Sequence, residues 1–95
     1  MPKAYWIAHV TVTEATQYKL YADGAPAAFE KYNAKILARG GSFEQLEGKG
    51  HSRNVVIEFN SMADALACYH SEEYQSAKQH RREAGIAEIV IVEGV

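Results

Sequence analysis

The fold of this chain is decided by one stretch near its beginning, AYWIAHVTV at residues 4–12. The stretch is rich in β-branched and aromatic residues and contains neither Gly nor Pro, which predicts a β-strand. One face would carry Tyr5, Ile7, His9 and Thr11, and the other would carry Trp6, Ala8, Val10 and Val12. Because both faces are largely apolar, we expect a central strand of a sheet rather than a half-solvated one.

A helical pattern follows this strand. Thr13 is the expected N-cap, and Glu14 falls in the first turn, where the helix dipole favours an anion. An apolar stripe with alternating intervals of four and three residues is formed by Tyr18, Ala22, Ala25, Phe29 and Tyr32. Pro26 removes one backbone donor, so we expect a kink or two short helices in tandem. Asn33 suits a left-handed cap at the end of the helix.

Two further strands are predicted after the helix. The second covers Lys35 to Glu47, with a bulge or sharp bend at the glycine pair Gly40-Gly41. The third covers Arg53 to Phe59 and is separated from the second only by a short glycine-containing turn. The two strands should therefore pair as an antiparallel hairpin.

The last third of the chain predicts a helical region and a final strand. Ser61 and Asp64 resemble a capping box, and Ser71 can begin a second helical piece. The residues expected to face inward are Met62, Ala65, Leu66, Tyr69, Tyr74, Ala77, Lys78 and Arg81. Gly85 should end the helical region, and Ile86 to Glu93 should form the last strand.

The predicted order is strand, helix, strand, strand, helix, strand. This is the split βαβ arrangement of an α+β, ferredoxin-like fold with a four-stranded antiparallel sheet. The crossover rule places the first and third strands in the centre, with both helices on one face of the sheet. The pattern leaves open which face that is, because several strands are apolar on both sides. We expect a second copy of the chain to cover the other face as a homodimer, the alternative being a monomer shielded by its C-terminal residues.

Composition narrows the class of protein. The chain has 95 residues, which is the size of one domain spanning residues 1–95. Ten Lys and Arg stand against twelve Asp and Glu, so no basic excess points to nucleic acid. No apolar run approaches the roughly 20 residues of a membrane span. The single Cys68 and the absence of a signal-peptide pattern in the first residues favour the cytoplasm.

Five short motifs together resemble a known bacterial family. They are Tyr5-Trp6-Ile7-Ala8, Arg39-Gly40-Gly41 with Glu47-Gly48, Val56-Ile57-Glu58-Phe59, Tyr69-His70-Ser71-Glu72-Glu73-Tyr74, and Val92-Glu93-Gly94. The chain is similar to the domain-of-unknown-function family numbered thirteen-thirty, in the dimeric α+β-barrel superfamily. The resemblance implies protomers that pair through their sheets to form a barrel. It implies no activity, since related families include cofactor-free monooxygenases, lactone isomerases, haem enzymes and stress proteins.

A candidate pocket lies between the first helix, the last helix and the sheet. Its expected polar lining is His9, Arg39, Tyr69, Tyr74 and Arg81, which interrupt otherwise apolar, inward-facing patterns. Each has a structural alternative: His9 as a satisfied strand residue, Arg39 in an ion pair with Glu47 or Glu58, and the tyrosines as core. Arg53 is expected to be a solvated charge at the rim. His51, His70 and His80 lack the spacing of metal ligands, so neither a metal nor another cofactor is expected.

Two functions remain open from the sequence. The first is binding of a small carbonyl or aromatic metabolite in this pocket. The second is a cofactor-free isomerase or monooxygenase, in which His9 or a tyrosine moves a proton and Arg39 holds an oxyanion. An open pocket with these polar groups facing one another would favour the enzyme. A pocket filled by Phe29 and Leu66 would favour the binding or structural function.

Overall fold

A computed structural model describes residues 2–95 and contains seven elements. They are β1 (Ala4–Val12), α1 (Ala15–Lys31), β2 (Lys35–Arg39), β3 (Arg53–Phe59), α2 (Met62–His70), α3 (Glu72–Arg81) and β4 (Gly85–Glu93). The four strands form one sheet in the order β2-β3-β1-β4, and every neighbouring pair is antiparallel. This confirms the predicted ferredoxin-like α+β fold, with the second helical region divided into α2 and α3.

The helices cover the face of the sheet that contains Trp6. In the central strand β1, the side chains of Ala4, Trp6, Ala8 and Val10 are buried. Trp6 lies opposite Ile57 of β3 and Ile91 of β4, so its ring is held at the middle of the core. The alternate residues of β1 lie on the uncovered face, which answers the question that the sequence pattern left open.

An aromatic cluster centred on Trp6 joins the sheet to the helices. The Trp6 ring meets the rings of Phe29 and Tyr74 edge-on, at centroid distances of 5.3 and 4.9 Å. It is stacked with Phe59 at 6.0 Å. Such pairs contribute about 0.5–1.5 kcal/mol each beyond the area they bury. The cluster therefore fixes α1 and α3 at a set height above the sheet.

Helix α1 begins one residue later than predicted. The N-cap is Glu14, whose carboxylate accepts from the Thr16 amide at 2.9 Å. Thr13 does not cap the helix, because its amide and that of Glu14 both donate to the Ala84 carbonyl and hold it in the connection. The helix then continues through Pro26 to Lys31, so of the two outcomes expected at the proline, a kink or two tandem helices, the second was wrong. The buried residues Ala25, Ala28 and Phe29 anchor the turns on both sides of the proline.

The end of α1 and the start of α3 were predicted correctly. Asn33 adopts a φ of 58°, the left-handed conformation expected of a cap, and the Ala34 amide donates to the Phe29 carbonyl at 2.9 Å. Ser61 accepts from the Asp64 amide at 3.1 Å, and Ser71 accepts from the Tyr74 amide at 3.2 Å. The serine caps thus divide the second helical region where the sequence indicates.

Strand β2 is shorter than predicted. It ends at Arg39, and Gly40 turns the chain away with a φ of 66°. Residues 40–50 are exposed and form no strand, because beyond the turn at Gly40 they have no neighbouring strand to pair with. The predicted pairing of β2 with β3 is confirmed, with a register shift between Ile36 and Ala38. The connection is a long exposed loop rather than the short glycine turn we expected.

Two inward-facing residues of the helical region were misassigned. Leu66 is 42% exposed, and Cys68 takes its place in the core. Lys78 is only partly buried and donates through Nζ to the Tyr69 hydroxyl at 2.9 Å. Gly85 begins β4 instead of ending the helical region, which stops at Arg81. Within residues 2–95, no helix combines the length and apolar character that crossing a membrane requires.

Candidate functional site

A cavity of about 60 Å³ lies between α1, the end of α3 and the covered face of the sheet. Most of its lining is apolar or aromatic: Trp6, Ala8, Val10, Tyr18, Ala22, Ala25, Pro26, Phe29, Ile36, Val55, Ile57 and Ile89. The rest of the lining is polar and consists of Tyr21, Arg39, Arg53 and Arg81. An apolar cavity with a few converging polar groups is the usual form of a small-molecule site.

A hydrogen-bonded cluster closes one end of this cavity. The hydroxyls of Tyr21 and Tyr74 lie 2.9 Å apart, and Arg81 donates to the Tyr74 hydroxyl at 3.4 Å. The guanidinium carbon of Arg81 lies 5.0 Å from the centre of the Tyr21 ring. Burial raises the pKa of both tyrosines above the ordinary value of a phenol. Both hydroxyls therefore stay protonated at neutral pH and act as hydrogen-bonding groups.

The arginines at the cavity have few partners. Arg81 is only 8% exposed, and its Nε has no hydrogen-bond partner in the described chain. The Nε of Arg53 is likewise buried and unpartnered, while its guanidinium carbon lies 5.7 Å from the Tyr18 ring centre. Between residues 2 and 95, no Asp or Glu lies within 4.0 Å of any arginine nitrogen at the cavity. The cavity therefore carries positive charge that is not neutralised by the protein.

The structure brings some of the predicted site residues together. Arg39 and Arg81 line the cavity, Arg39 being exposed and Arg81 buried. Tyr74 lies just behind the lining, hydrogen-bonded to Tyr21. Tyr69 packs against Trp6 at a centroid distance of 5.7 Å and belongs to the core cluster rather than to the cavity lining. Among residues 2–95, Arg39 forms neither of the ion pairs that were its structural alternative, with Glu47 or with Glu58, and Glu58 pairs instead with Lys3 at 3.6 Å.

His9 does not lie at the cavity, which corrects its place in the predicted pocket. It alternates with Trp6 and Ala8 along β1 and therefore lies on the open face of the sheet. Its Nδ1 is 2.6 Å from the Asn54 Oδ1. The proton-moving role that the sequence suggested for His9 in this pocket has no support in the geometry.

A second polar cluster surrounds His9 on the open face. His51 lies between the Thr11 hydroxyl and the Glu88 carboxylate, with 2.7 Å from a ring nitrogen to each. The rings of His9 and His51 are nearly parallel, with their centres 6.4 Å apart. Among residues 2–95, no three His, Cys, Asp or Glu side chains are grouped so that they could hold a metal ion. The cluster is a hydrogen-bonded network across the sheet.

Comparison with known sequences gives the family. The pattern of the family described as Domain of unknown function (DUF1330) matches residues 3–95. The chain belongs to the DUF1330 family. This confirms the resemblance drawn from the five short motifs. No curated protein matches the sequence.

Solved structures support the fold of this DUF1330 chain. A protein of unknown function from Rhodopseudomonas palustris is similar with a TM-score of 0.81 and 18% identity, covering 99% of this chain and 83% of that one. SnoaB from Streptomyces nogalater, a cofactor-independent oxygenase, has a TM-score of 0.67 and 8% identity. The match covers 100% of this chain and 95% of SnoaB. A dimeric protein of unknown function with a ferredoxin-like fold, from Bacteroides fragilis, has a TM-score of 0.66 and 13% identity. The match covers 97% of this chain and 96% of that one.

Two residues of the DUF1330 cavity were missed from the sequence. Tyr21 lies beside the predicted apolar stripe of α1, three residues after Tyr18 and four before Ala25, and this helical spacing could have assigned it to the cavity. Arg53 was expected at the solvated rim, yet it is half-buried beside Tyr18. Its position depends on Gly40, where a Cβ atom would lie 2.5 Å from the Arg53 Nη1. Sequence spacing alone gives no signal for that approach.

Proposed function

We propose that this DUF1330 protein binds a small carbonyl or aromatic compound in the cavity between α1, α3 and the sheet. The observation that carries the proposal is the arrangement of the lining. Apolar and aromatic side chains surround the space, and the Tyr21–Tyr74–Arg81 cluster offers hydrogen bonds at one end. A carbonyl or phenol oxygen would meet the cluster, and the carbon skeleton would contact the apolar walls.

The size of the cavity limits the ligand. A volume of about 60 Å³ holds a few water molecules, whereas pockets for drug-sized ligands span about 300–1,000 Å³. The enclosed space therefore suits the polar end of a compact molecule. The remainder would extend towards Arg39, which is exposed and marks the rim. This favours a metabolite with one small ring or a short carbonyl chain.

The alternative is a cofactor-free isomerase or monooxygenase acting on a small carbonyl or phenolic compound. It has the support that SnoaB, a cofactor-independent oxygenase, has the same fold. In this chain, however, none of the lining residues from the described part is a His, Asp or Glu. The two buried phenols stay protonated at neutral pH, so neither is available to accept a proton as a general base. The lining thus favours binding over proton transfer.

The intrinsic fluorescence of Trp6 provides the test of binding. Trp6 is the single tryptophan of the chain, is buried and lines the cavity. Titration with phenol and with benzaldehyde should change its emission in a saturable way. Ala22→Phe places a ring in the cavity and should weaken binding by at least about tenfold. Ala27→Phe is the control, because Ala27 is exposed on the same helix and does not line the cavity.

The outcomes separate the two functions. Saturable binding that Ala22→Phe removes and Ala27→Phe leaves intact supports a binding site in the cavity. The absence of any saturable response to phenol, to benzaldehyde and to the charged analogue benzoate contradicts it. Oxygen uptake or isomerised product that depends on the protein would move the conclusion to the enzyme.

We also propose that a second copy of the chain covers the open face of the sheet. Four apolar side chains of this face, Leu37, Ile86, Val90 and Val92, are at least 45% exposed, and Ile7 and Val56 lie beside them. The helices already occupy the other face, and a second copy packed on this face would bury these residues. The Bacteroides fragilis neighbour is described as dimeric, which supports a homodimer.

We place the protein in the bacterial cytoplasm, with a small molecule rather than nucleic acid as its partner. Cys68 is a free, buried thiol, which suits a reducing compartment. The similar structures come from bacteria. The net charge of −2 gives no attraction for a nucleic-acid backbone.

A further inference from the structure

We propose that the ligand of this cavity is an anion, of the class of small planar carboxylates, and that Arg81 binds its charged group. This inference rests on the proposed function, that the cavity binds a small molecule, and adds the charge of that molecule. It follows from the charge of the arginines, which the binding proposal does not use.

Arg81 is a buried charge without a counterion. It is 8% exposed, and its nearest polar partner is the neutral hydroxyl of Tyr74 at 3.4 Å. Its Nε has no partner at all in the described chain. A buried charge is costly unless it is both paired and hydrogen-bonded. The described chain supplies Arg81 with neither an acidic partner nor enough hydrogen-bond acceptors, so a bound anionic ligand would act as its counterion.

Two more arginines add positive charge to the same cavity. Arg53 and Arg39 both belong to the lining, and neither lies within ion-pair distance of an Asp or Glu in residues 2–95. Three guanidinium groups without an ion pair thus line one apolar space, and an anion bound there would be attracted by all three. A guanidinium also presents paired donors that match a carboxylate in two parallel hydrogen bonds.

A glycine leaves room for Arg53 beside the cavity. Gly40 has a φ of 66°, and a Cβ atom there would lie 2.5 Å from Nη1 and 3.2 Å from Cζ of Arg53. The missing side chain lets the guanidinium lie against the end of β2, next to the Tyr18 ring. Arg53 thus lies between Gly40 and Tyr18 at the cavity, and its Nε lacks a partner in the described chain.

Stacking of Arg81 on Tyr21 is the structural explanation of its burial. The distance of 5.0 Å between the guanidinium carbon and the ring centre fits a cation–π contact. A cation–π contact supplies no hydrogen-bond acceptor, so it leaves Nε without a partner. A carboxylate would add acceptors for the guanidinium donors, because its two oxygens match them in parallel hydrogen bonds.

The test uses two matched pairs of probes, benzoate with benzamide and acetate with acetamide. Each pair has the same shape and differs in charge. Binding to the whole protein is measured by Trp6 fluorescence and by calorimetry at low and high salt. We expect at least one carboxylate to bind at least tenfold more tightly than its amide, with the preference shrinking as salt increases.

Variants locate the charge that is responsible. Arg81→Met should remove the preference for the carboxylate, and Arg81→Lys should keep part of it. Arg53→Gln should lower it severalfold, which preserves the test if Arg81→Met does not fold. Arg82→Gln is the matched control: Arg82 is the next residue, is exposed, and gives the same change of net charge.

The outcomes distinguish this inference from the function on which it rests. Binding of an amide as tight as that of its carboxylate would overturn the anion inference and leave the binding site in place. Loss of the preference in Arg82→Gln as large as in Arg81→Met would also overturn it. Failure of all four probes, together with phenol and benzaldehyde, would contradict both.

Discussion

At the scale of single residues, the cavity combines neutral phenols with charged guanidiniums. Tyr21 and Tyr74 share one hydrogen bond, and Arg81 reaches both, by stacking on one ring and donating to the other hydroxyl. Desolvation holds the tyrosines in their protonated form. The cluster is therefore both a part of the core and the polar end of the candidate site.

Removing the Tyr21 hydroxyl should cost the protein a moderate amount of stability. In Tyr21→Phe the buried Tyr74 hydroxyl loses its 2.9 Å partner, so we expect a loss of about 0.5–1.5 kcal/mol in the free energy of unfolding. Urea denaturation measures it. Tyr32→Phe is the control, because Tyr32 lies outside the cavity and its hydroxyl has no protein partner among residues 2–95. An equal loss in both variants would contradict the role of the hydrogen bond.

Cys68 should be unreactive while the protein is folded. Its side chain is fully buried, and burial raises the pKa of the thiol from 9.0 to about 12. At pH 8 a thiol reagent should label it only as fast as the protein opens, and at once in denaturant. If the native protein were labelled as fast as the unfolded chain, the Cys68 thiol would be accessible and the prediction would be wrong.

The same residues predict how stability depends on alkaline pH. The folded-state pKa values of Cys68, Tyr21 and Tyr74 are all raised, so the unfolded state releases protons at a lower pH than the folded state does. Their contribution to the free energy of unfolding is fully present below about pH 9 and is lost as the pH rises above that value. The free energy of unfolding, measured from pH 7 to 11, should therefore fall in the upper half of that range. A value that stayed level to pH 11 would be inconsistent with buried, neutral phenols.

At the scale of elements, the sequence was most informative where residue composition and the alternation of buried positions indicated the same structure. β1 and β3 combine β-branched composition with buried alternation, and their predicted bounds match the structure. The serine caps of α2 and α3 depend only on local hydrogen bonds, so they too could be predicted. β2 was predicted too long, because residues 42–46 resemble a strand locally but lie beyond the turn at Gly40 and have no neighbour to pair with.

The start of β4 depends on the absence of a side chain. A Cβ atom at Gly85 would lie 2.6 Å from the Thr11 carbonyl oxygen, which belongs to the backbone of the central strand and cannot move aside. Gly85→Ala should therefore lower the free energy of unfolding by about 1–3 kcal/mol. Gly41→Ala is the control, since nothing lies within 4 Å of its Cβ position, and it should be neutral or slightly stabilising. Thermal melting of both variants checks this, and equal melting temperatures would refute the steric argument.

At the scale of the whole molecule, the sheet has one covered and one open face. The sequence predicted this division and the need for a partner, but it could not tell which face was which. That choice depends on the aromatic cluster, where Trp6 meets rings from both helices. The error over His9 has the same cause, since the alternation of β1 places His9 opposite to Trp6. Arg39 and Arg81 were predicted at the cavity because they interrupt apolar, inward-facing patterns, and both line it.

The open face should make the protein a dimer in dilute solution. Light scattering should give about twice the chain mass of 10.5 kDa. Val90→Lys places a charge at the middle of the open face, opposite Ile7, and should shift the protein towards the monomer. Leu46→Lys is the control, because Leu46 is 81% exposed in the loop after β2 and lies outside the sheet. A monomeric parent protein would exclude the sheet-face dimer.

The alternation of β1 has a thermodynamic consequence. Trp6 and Ala8 line the cavity, while Ile7 and His9, their immediate neighbours in the chain, lie on the face proposed for the second copy. One backbone thus separates the two binding events. If a ligand changes the dimer dissociation constant by some factor, dimerisation must change the affinity for the ligand by the same factor. Measuring ligand affinity across a range of protein concentrations would give this coupling free energy directly, and its sign would tell whether occupied protomers attract or release each other.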